Sequence, residues 1–243
     1  MRMLAFAKRC MKEILRDPIN LFFGLGFPVV LLLLLSAIQA NVPVEIFAIE
    51  RLTPGITVFG LSFMTLFSAT LIAKDRESSF LQRLYTTPLK SADYILGYML
   101  PLIPIAMAQG AICYLVAILL GLQVTINIVF DILMIAPIAI FYIALGLLFG
   151  SILNVKQVGG ICGGLLTNLS AWLSGAWFDI ELIGGAFQKI ANVLPFIHAV
   201  ELEKAILNGN FTELTEHLCV VLVYAVLITI CAIWLFLGQA KKQ

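Results

Sequence analysis

A chain of 243 residues that is 61% hydrophobic and only 12% charged, with a mean hydropathy of +1.04, lies far from soluble domains, which run at about 45 to 50% apolar and about 25% charged. A formal net charge of +1 leaves no basic surplus for nucleic acid, and five cysteines without metal-ligand spacing argue against a zinc site or a disulfide framework. The composition is that of an integral membrane protein.

The first sixteen residues carry five basic side chains, Arg2, Lys8, Arg9, Lys12 and Arg16, and the first apolar run starts only at Leu21, so this stretch is not expected to be a secretory signal. Met3, Ala7, Cys10, Met11 and Ile14 recur at helical spacing opposite Lys8, Arg9, Lys12 and Arg16, and Asp17-Pro18 ends the pattern. Residues 1–18 therefore read as an amphipathic helix on the inner membrane surface, with Lys8, Lys12 and Arg16 on its polar face. A basic retention signal with incidental periodicity is the other reading.

A helix rising 1.5 Å per residue needs roughly 20 apolar residues to cross about 30 Å of hydrocarbon. Six uncharged runs of about that length follow: Leu21 to Ile38, Gly55 to Ala73, Ile95 to Leu120, Ile132 to Phe149, Val158 to Phe178 and Leu218 to Leu237, with Asp131 at the edge of the fourth. They are too long and too uniformly apolar for barrel strands, and backbone groups in lipid must be satisfied internally. The expected fold is an all-α, six-helix transmembrane bundle forming a single domain over residues 1–243.

Between the second and third runs lies the most charged stretch, LIAKDRESSFLQRLYTTPLKSADYILG. Phe80, Leu81, Leu84 and Tyr85 make an apolar stripe, Arg76, Glu77, Gln82 and Arg83 lie elsewhere, and Pro88 closes the pattern. This predicts a short amphipathic helix whose apolar face needs the membrane or a partner. In the later spans, Gln109 and Asn168 are either interhelical hydrogen-bond glue or substrate contacts. Gly159, Gly160, Gly163 and Gly164 form two overlapping Gly-x-x-x-Gly pairs, fit for close packing between two chains or within one.

The segment DIELIGGAFQKIANVLPFIHAVELEKAILNGN is too charged to span and too apolar for an ordinary loop. Gly184-Gly185, Leu194-Pro195 and Asn208-Gly209-Asn210 divide it into two short helices, Ala186 to Val193 and Phe196 to Leu207, that suit a re-entrant or interfacial cap containing Pro195, His198 and Glu201. His198 is either a pH-sensitive group or a packing residue.

Twelve of the fifteen Lys and Arg residues fall on one side of the six runs; Arg51, Lys189 and Lys204 fall on the other. The positive-inside rule then places both termini in the cytoplasm. No run holds an ionisable residue that would serve a proton relay. The chain also has no G-x-x-x-x-G-K-[ST] loop, no H-E-x-x-H pair and no catalytic constellation. It is not expected to be an enzyme, and the energy for transport has to come from another chain.

Three stretches resemble the type-2 ATP-binding cassette (ABC) exporter permeases. KDRESSFLQRLYTTPLKSADYILGYML is similar to that family's acidic-Arg-Glu, Leu-x-Arg-Leu and Thr-Pro-Leu run; SGAWFDIELIGG follows the fifth run; LPFIHAVELEKAILNGN is similar to its outer Leu-Pro-x-x-His-Ala-Val run. The resemblance covers essentially the whole chain, although the outer loops are shorter than in larger members. It implies a permease subunit in a prokaryotic cell (plasma or inner) membrane that pairs with a second permease chain, identical or related. Asp75, Glu77, Phe80, Leu81, Arg83, Leu84 and Pro88 would couple to a separate ABC ATPase, supported by Lys8, Lys12 and Arg16. ATP and Mg would be bound by that ATPase, and this chain would bind no cofactor or metal. The implied function is export of a hydrophobic or amphipathic drug, peptide or lipid. The alternatives are a passive channel, which would prefer a polar or charged lining that this chain lacks, and an assembly or immunity protein that binds without transporting.

Overall fold

In the computed structural model the described residues are 2–42, 47–78, 80 and 91–240, and among them there is no strand. The helices are α1 (Arg2–Leu15), α2 (Pro18–Gln39), α3 (Ile49–Glu77), α4 (Ser91–Met99), α5 (Leu102–Leu119), α6 (Asn127–Ile152), α7 (155–173), α8 (Gly185–Val193), α9 (Pro195–Leu207) and α10 (Phe211–Ala240). Among the described residues, five helical stretches are long and apolar enough to cross a membrane: α2, α3, the α4–α5 pair over Asp93–Leu119, α6, and α10 over Phe211–Phe236. They match five of the six expected runs. Helices α2, α3, α6 and α10 outgrow their apolar runs at both ends because backbone hydrogen bonding does not stop at the first charge; α6 begins at Asn127 and so takes Asp131 into the bundle.

The remaining run, Val158 to Phe178, is not among the five. Its helix, α7, covers 155–173 and contains a π-helical segment, Gly159–Leu166, before Gly175 at φ +70° turns the chain away. Lys156, Gln157, Asn168 and four glycines dilute its apolar content. A capping box opens it: Asn154 accepts from the Gln157 backbone N–H, and the Gln157 side chain accepts from the Asn154 N–H.

The amphipathic pattern of α1 is used within the chain itself. Phe6, Ala7, Cys10 and Ile14 are buried, and the Phe6 ring meets Tyr98 of α4 edge-on at 4.9 Å. Lys8, Lys12 and Arg16 stay exposed along a groove of about 660 Å³ that also touches Arg9 and Glu13. Cys10 is fully buried, and burial pushes its thiol up to about 12, so it is a packing residue and an unreactive one.

The central helix is α3, which packs against α2, α5, α6, α7 and α9. Its closest neighbour is α6, and small residues set that contact. A Cβ on Gly150 would stand 2.6 Å from the Ala69 carbonyl oxygen, so only glycine fits. About two turns earlier on α6, the Tyr142 carbonyl accepts from the Thr65 hydroxyl (2.8 Å) and the Ile143 carbonyl from the Ser68 hydroxyl (3.0 Å). Close backbones with hydroxyl cross-links are the standard adhesive of helices in lipid, where apolar burial gives little drive for association. By contrast α2 and α10 turn Leu33, Leu34, Val223, Val226 and Ile230 outward.

The two short helices before α10 form where turn residues place them. Pro195 starts α9 at its first position, where a backbone N–H would have no intrahelical acceptor anyway. Gly209 at φ +73° ends it in a Schellman motif, with the Asn210 N–H bonded to the Ala205 carbonyl (2.8 Å) and the Gly209 N–H to that of Ile206 (2.9 Å).

Candidate functional site

The most heavily cross-linked point among the described residues is the end of α3, at Asp75, Arg76 and Glu77. Successive helical residues point about 100° apart, and these three reach three different neighbours. Asp75, almost wholly buried, receives both guanidinium nitrogens of Arg9 from α1 (2.5 and 2.6 Å) and the Tyr98 hydroxyl from α4 (2.8 Å). Arg76 donates to the carbonyls of Gly150 (2.7 Å) and Leu153 (3.3 Å), which are left open at the end of α6. The Glu77 carboxylate accepts from the Val155 N–H (2.9 Å) at the start of α7, where the helix dipole favours an anion.

Arg9 then extends the joint beyond α3. Its guanidinium also pairs with Glu13 (2.8 Å) and lies 4.3 Å from the centre of the Phe80 ring, a cation–π contact. Phe80 thus faces Arg9 and the core of its own chain. Nearby, Lys74 pairs with Asp17 (3.6 Å), the residue that also caps α2 through the Asn20 N–H (3.2 Å). One short piece of sequence therefore ties α1, α2, α4, α6 and α7 to the end of the central helix. Leu81, Arg83, Leu84 and Pro88 lie outside the described residues.

At the opposite end of the bundle, α8, α9 and the start of α10 border an open cavity of about 840 Å³ lined by Glu50, Arg51, Asp179, His198, Glu201, Lys204 and His217 among others. Arg51 pairs with Asp179 (2.9 Å) and Lys204 with Glu201 (2.8 Å). His198 contacts His217 between Nδ1 atoms at 2.8 Å and reaches the Asn192 carbonyl through Nε2 at 3.0 Å. A carbonyl only accepts, so His198 Nε2 carries a proton and donates to Asn192. The pair cross-links α9 to α10.

The ABC-2 type transporter family matches residues 1–207, which include the end of α3, the segment after it and the outer helices. The chain belongs to the ABC-2 type transporter family. Among the described residues, only α10 and the short connection before it lie outside the matched region. A comparison with curated proteins finds no match. As an ABC-2 chain it is the transmembrane subunit of an ABC transporter, and family membership implies an ABC ATPase subunit as partner.

Within this ABC-2 subunit the other expected residues separate cleanly. Gln109 is fully buried between α3 and α5, donating to the Thr57 carbonyl (3.4 Å) and the Cys113 sulfur (3.3 Å). It holds helices together. Asn168 is exposed and bonds the Gly164 carbonyl on its own helix (2.7 Å). Of the four glycines, only Gly163 would place a Cβ near another helix, 3.3 Å from Leu66; Gly159, Gly160 and Gly164 face open space. Gly163 therefore packs inside the chain, while the other three leave an open face. Pro195 is buried at the head of α9, whereas His198 and Glu201 border the cavity.

The sequence pattern did not single out Arg9 from Lys8, Lys12 and Arg16, since all four share one face of α1. Tyr98 and the buried acids Asp131 and Glu203 were also missed. The signal for Arg9 was its i, i+4 spacing to Glu13, weak by itself. For Glu203 it was apolar residues three and four positions to either side, Ala199, Val200, Ile206 and Leu207.

Proposed function

We propose that this chain is the permease of an ATP-driven exporter, six-spanning with both termini cytoplasmic, that moves a hydrophobic or amphipathic substrate out of a prokaryotic cell. A separate ATPase binds ATP and Mg and acts on the segment after α3. The observation that carries this reading is the joint at Asp75, Arg76 and Glu77. A push on the segment beginning at Phe80 passes through Arg9 and Asp75 to α1 and α4, and through Arg76 and Glu77 to α6 and α7. Alternating access needs helices that move as linked bodies, and this joint links them at the point where the ATPase would act. Leu81, Arg83 and Leu84 would supply the docking face, with Lys8, Lys12 and Arg16 along the membrane surface. Helix α7 would complete the sixth crossing, with its open glycine face toward a second permease chain.

The test is reconstitution with the ATPase. Transport into vesicles is expected to need both chains and ATP, and to persist when an uncoupler abolishes the proton gradient. Transport without nucleotide would make the chain a passive pore; loss of transport on uncoupling, with ATP present, would contradict ATP as the driving source.

Topology has its own check. In a background lacking the five native cysteines, all of them unpaired thiols, single cysteines at the exposed positions Ser78 and Asn210 should differ on intact cells. A membrane-impermeant thiol reagent should modify Asn210→Cys and spare Ser78→Cys. The reverse pattern would invert the orientation drawn from the twelve basic residues on one side.

A further inference from the structure

We infer that Asp131 of α6, Glu203 of α9 and Tyr114 of α5 form a proton-binding site that fastens the outer helix α9 to the bundle. All three side chains are buried, with exposures of 0%, 0% and 1%. The Tyr114 hydroxyl donates to Glu203 Oε2 at 2.8 Å. Both carboxyl oxygens of Asp131 and the remaining oxygen of Glu203, Oε1, have no hydrogen-bond partner.

None of the ion pairs among the described residues includes either acid. Arg51 is held by Asp179 and Lys204 by Glu201, while His198 and His217 bond each other; these groups, with Glu213 and Glu216 of α10, border the outer cavity on the other side of α9. The charged or titratable groups acting on Glu203 are Asp131 and Tyr114. Two carboxylates so placed, dry and without a cation, cannot both stay ionised. Burial, reinforced by the charge of Asp131, pushes Glu203 well above the usual carboxylate range.

A proton changes the chemistry of the cluster. A carboxylic acid has one O–H donor and an accepting oxygen, so one proton on the pair neutralises a charge and supplies a donor for the orphaned oxygens. The site titrates as a unit, with the proton belonging to the pair. The reaction is simple association, carboxylate plus proton giving carboxylic acid.

Glu203 is followed at once by Lys204 and Ala205, which line the water-accessible outer cavity. Lifting α9 would bring that water to the acids, let the proton leave and set two like charges against re-closure. The seated position is thus favoured when the pair is protonated and weakened as pH rises. Only this use in movement of the outer helix rests on the exporter reading; the proton site does not.

Infrared difference spectroscopy of the purified chain in nanodiscs tests the site without any transport assay. At neutral pH the wild type should show the C=O stretch of a protonated carboxyl, and the double variant Asp131→Asn/Glu203→Gln should lose it. Tyr114→Phe, which keeps both acids, should shift the band by removing a hydrogen-bond donor, and it serves if the double variant does not fold. A wild type without the band, or a band unmoved by these substitutions, overturns the proposal. Failure of ATP-driven transport in vesicles holding both chains would bear on the exporter reading alone.

Discussion

Arg9→Ala is expected to destabilise the chain by roughly 3 kcal/mol, at the lower end of what stripping one partner from a buried ion pair costs. Asp75 is almost wholly buried and would keep only the Tyr98 hydroxyl, while the Arg9 side chain, 35% exposed, already draws part of its solvation from water. The same substitution removes the cation–π contact to Phe80, so ATP hydrolysis by the partner should continue while transport falls sharply. Asp75→Asn should cost less, because the amide oxygen still accepts from Tyr98 and no charge is buried. Combining the two should recover much of the stability lost in Arg9→Ala, a non-additivity that identifies the unpaired carboxylate as the cause. Thermal unfolding in detergent gives the stabilities. An Arg9→Ala protein within about 0.5 kcal/mol of wild type would place the pair among ordinary surface contacts.

This joint also shows where reading the sequence stops. Helical periodicity identifies the buried face of α1, because Ala7, Cys10 and Ile14 repeat locally, and absence of charge locates five spans for the same reason. Turn chemistry at Pro195 and Gly209 bounds α9 to within a residue. Which of several basic side chains on α1 turns inward is decided by Asp75, 66 positions later, and no local pattern holds that information. The buried acids fail in the same way: Tyr114 and Glu203 are 89 residues apart. Asp131 stood at the edge of an uncharged run, and only the helix start at Asn127 carries it inside.

The glycines give the second large effect, since one motif type occupies two opposite environments. Gly146 and Gly150 repeat the Gly-x-x-x-Gly spacing on α6 and meet α3 backbone; Gly160 and Gly164 repeat it on α7 and meet nothing. Gly150→Leu would drive its Cβ to 2.6 Å from the Ala69 carbonyl oxygen and 2.8 Å from the Ala69 Cα, backbone atoms that cannot rotate aside. Separating α3 from α6 also strains the Thr65 and Ser68 hydrogen bonds, so a cost of about 3 kcal/mol or more is expected, with little folded protein recovered. Gly160→Leu should do the reverse to the single chain, since leucine is the better helix former by up to about 1 kcal/mol and has room. If the open face of α7 receives a second permease chain, that leucine should block close approach of the two helices. The expected variant is folded and heat-stable yet monomeric by light scattering in nanodiscs, with ATP-driven transport lost. A Gly160→Leu protein that still pairs and transports would show that this face looks onto lipid, and the contact between permease chains would then have to be sought on the apolar outer faces of α2 and α10.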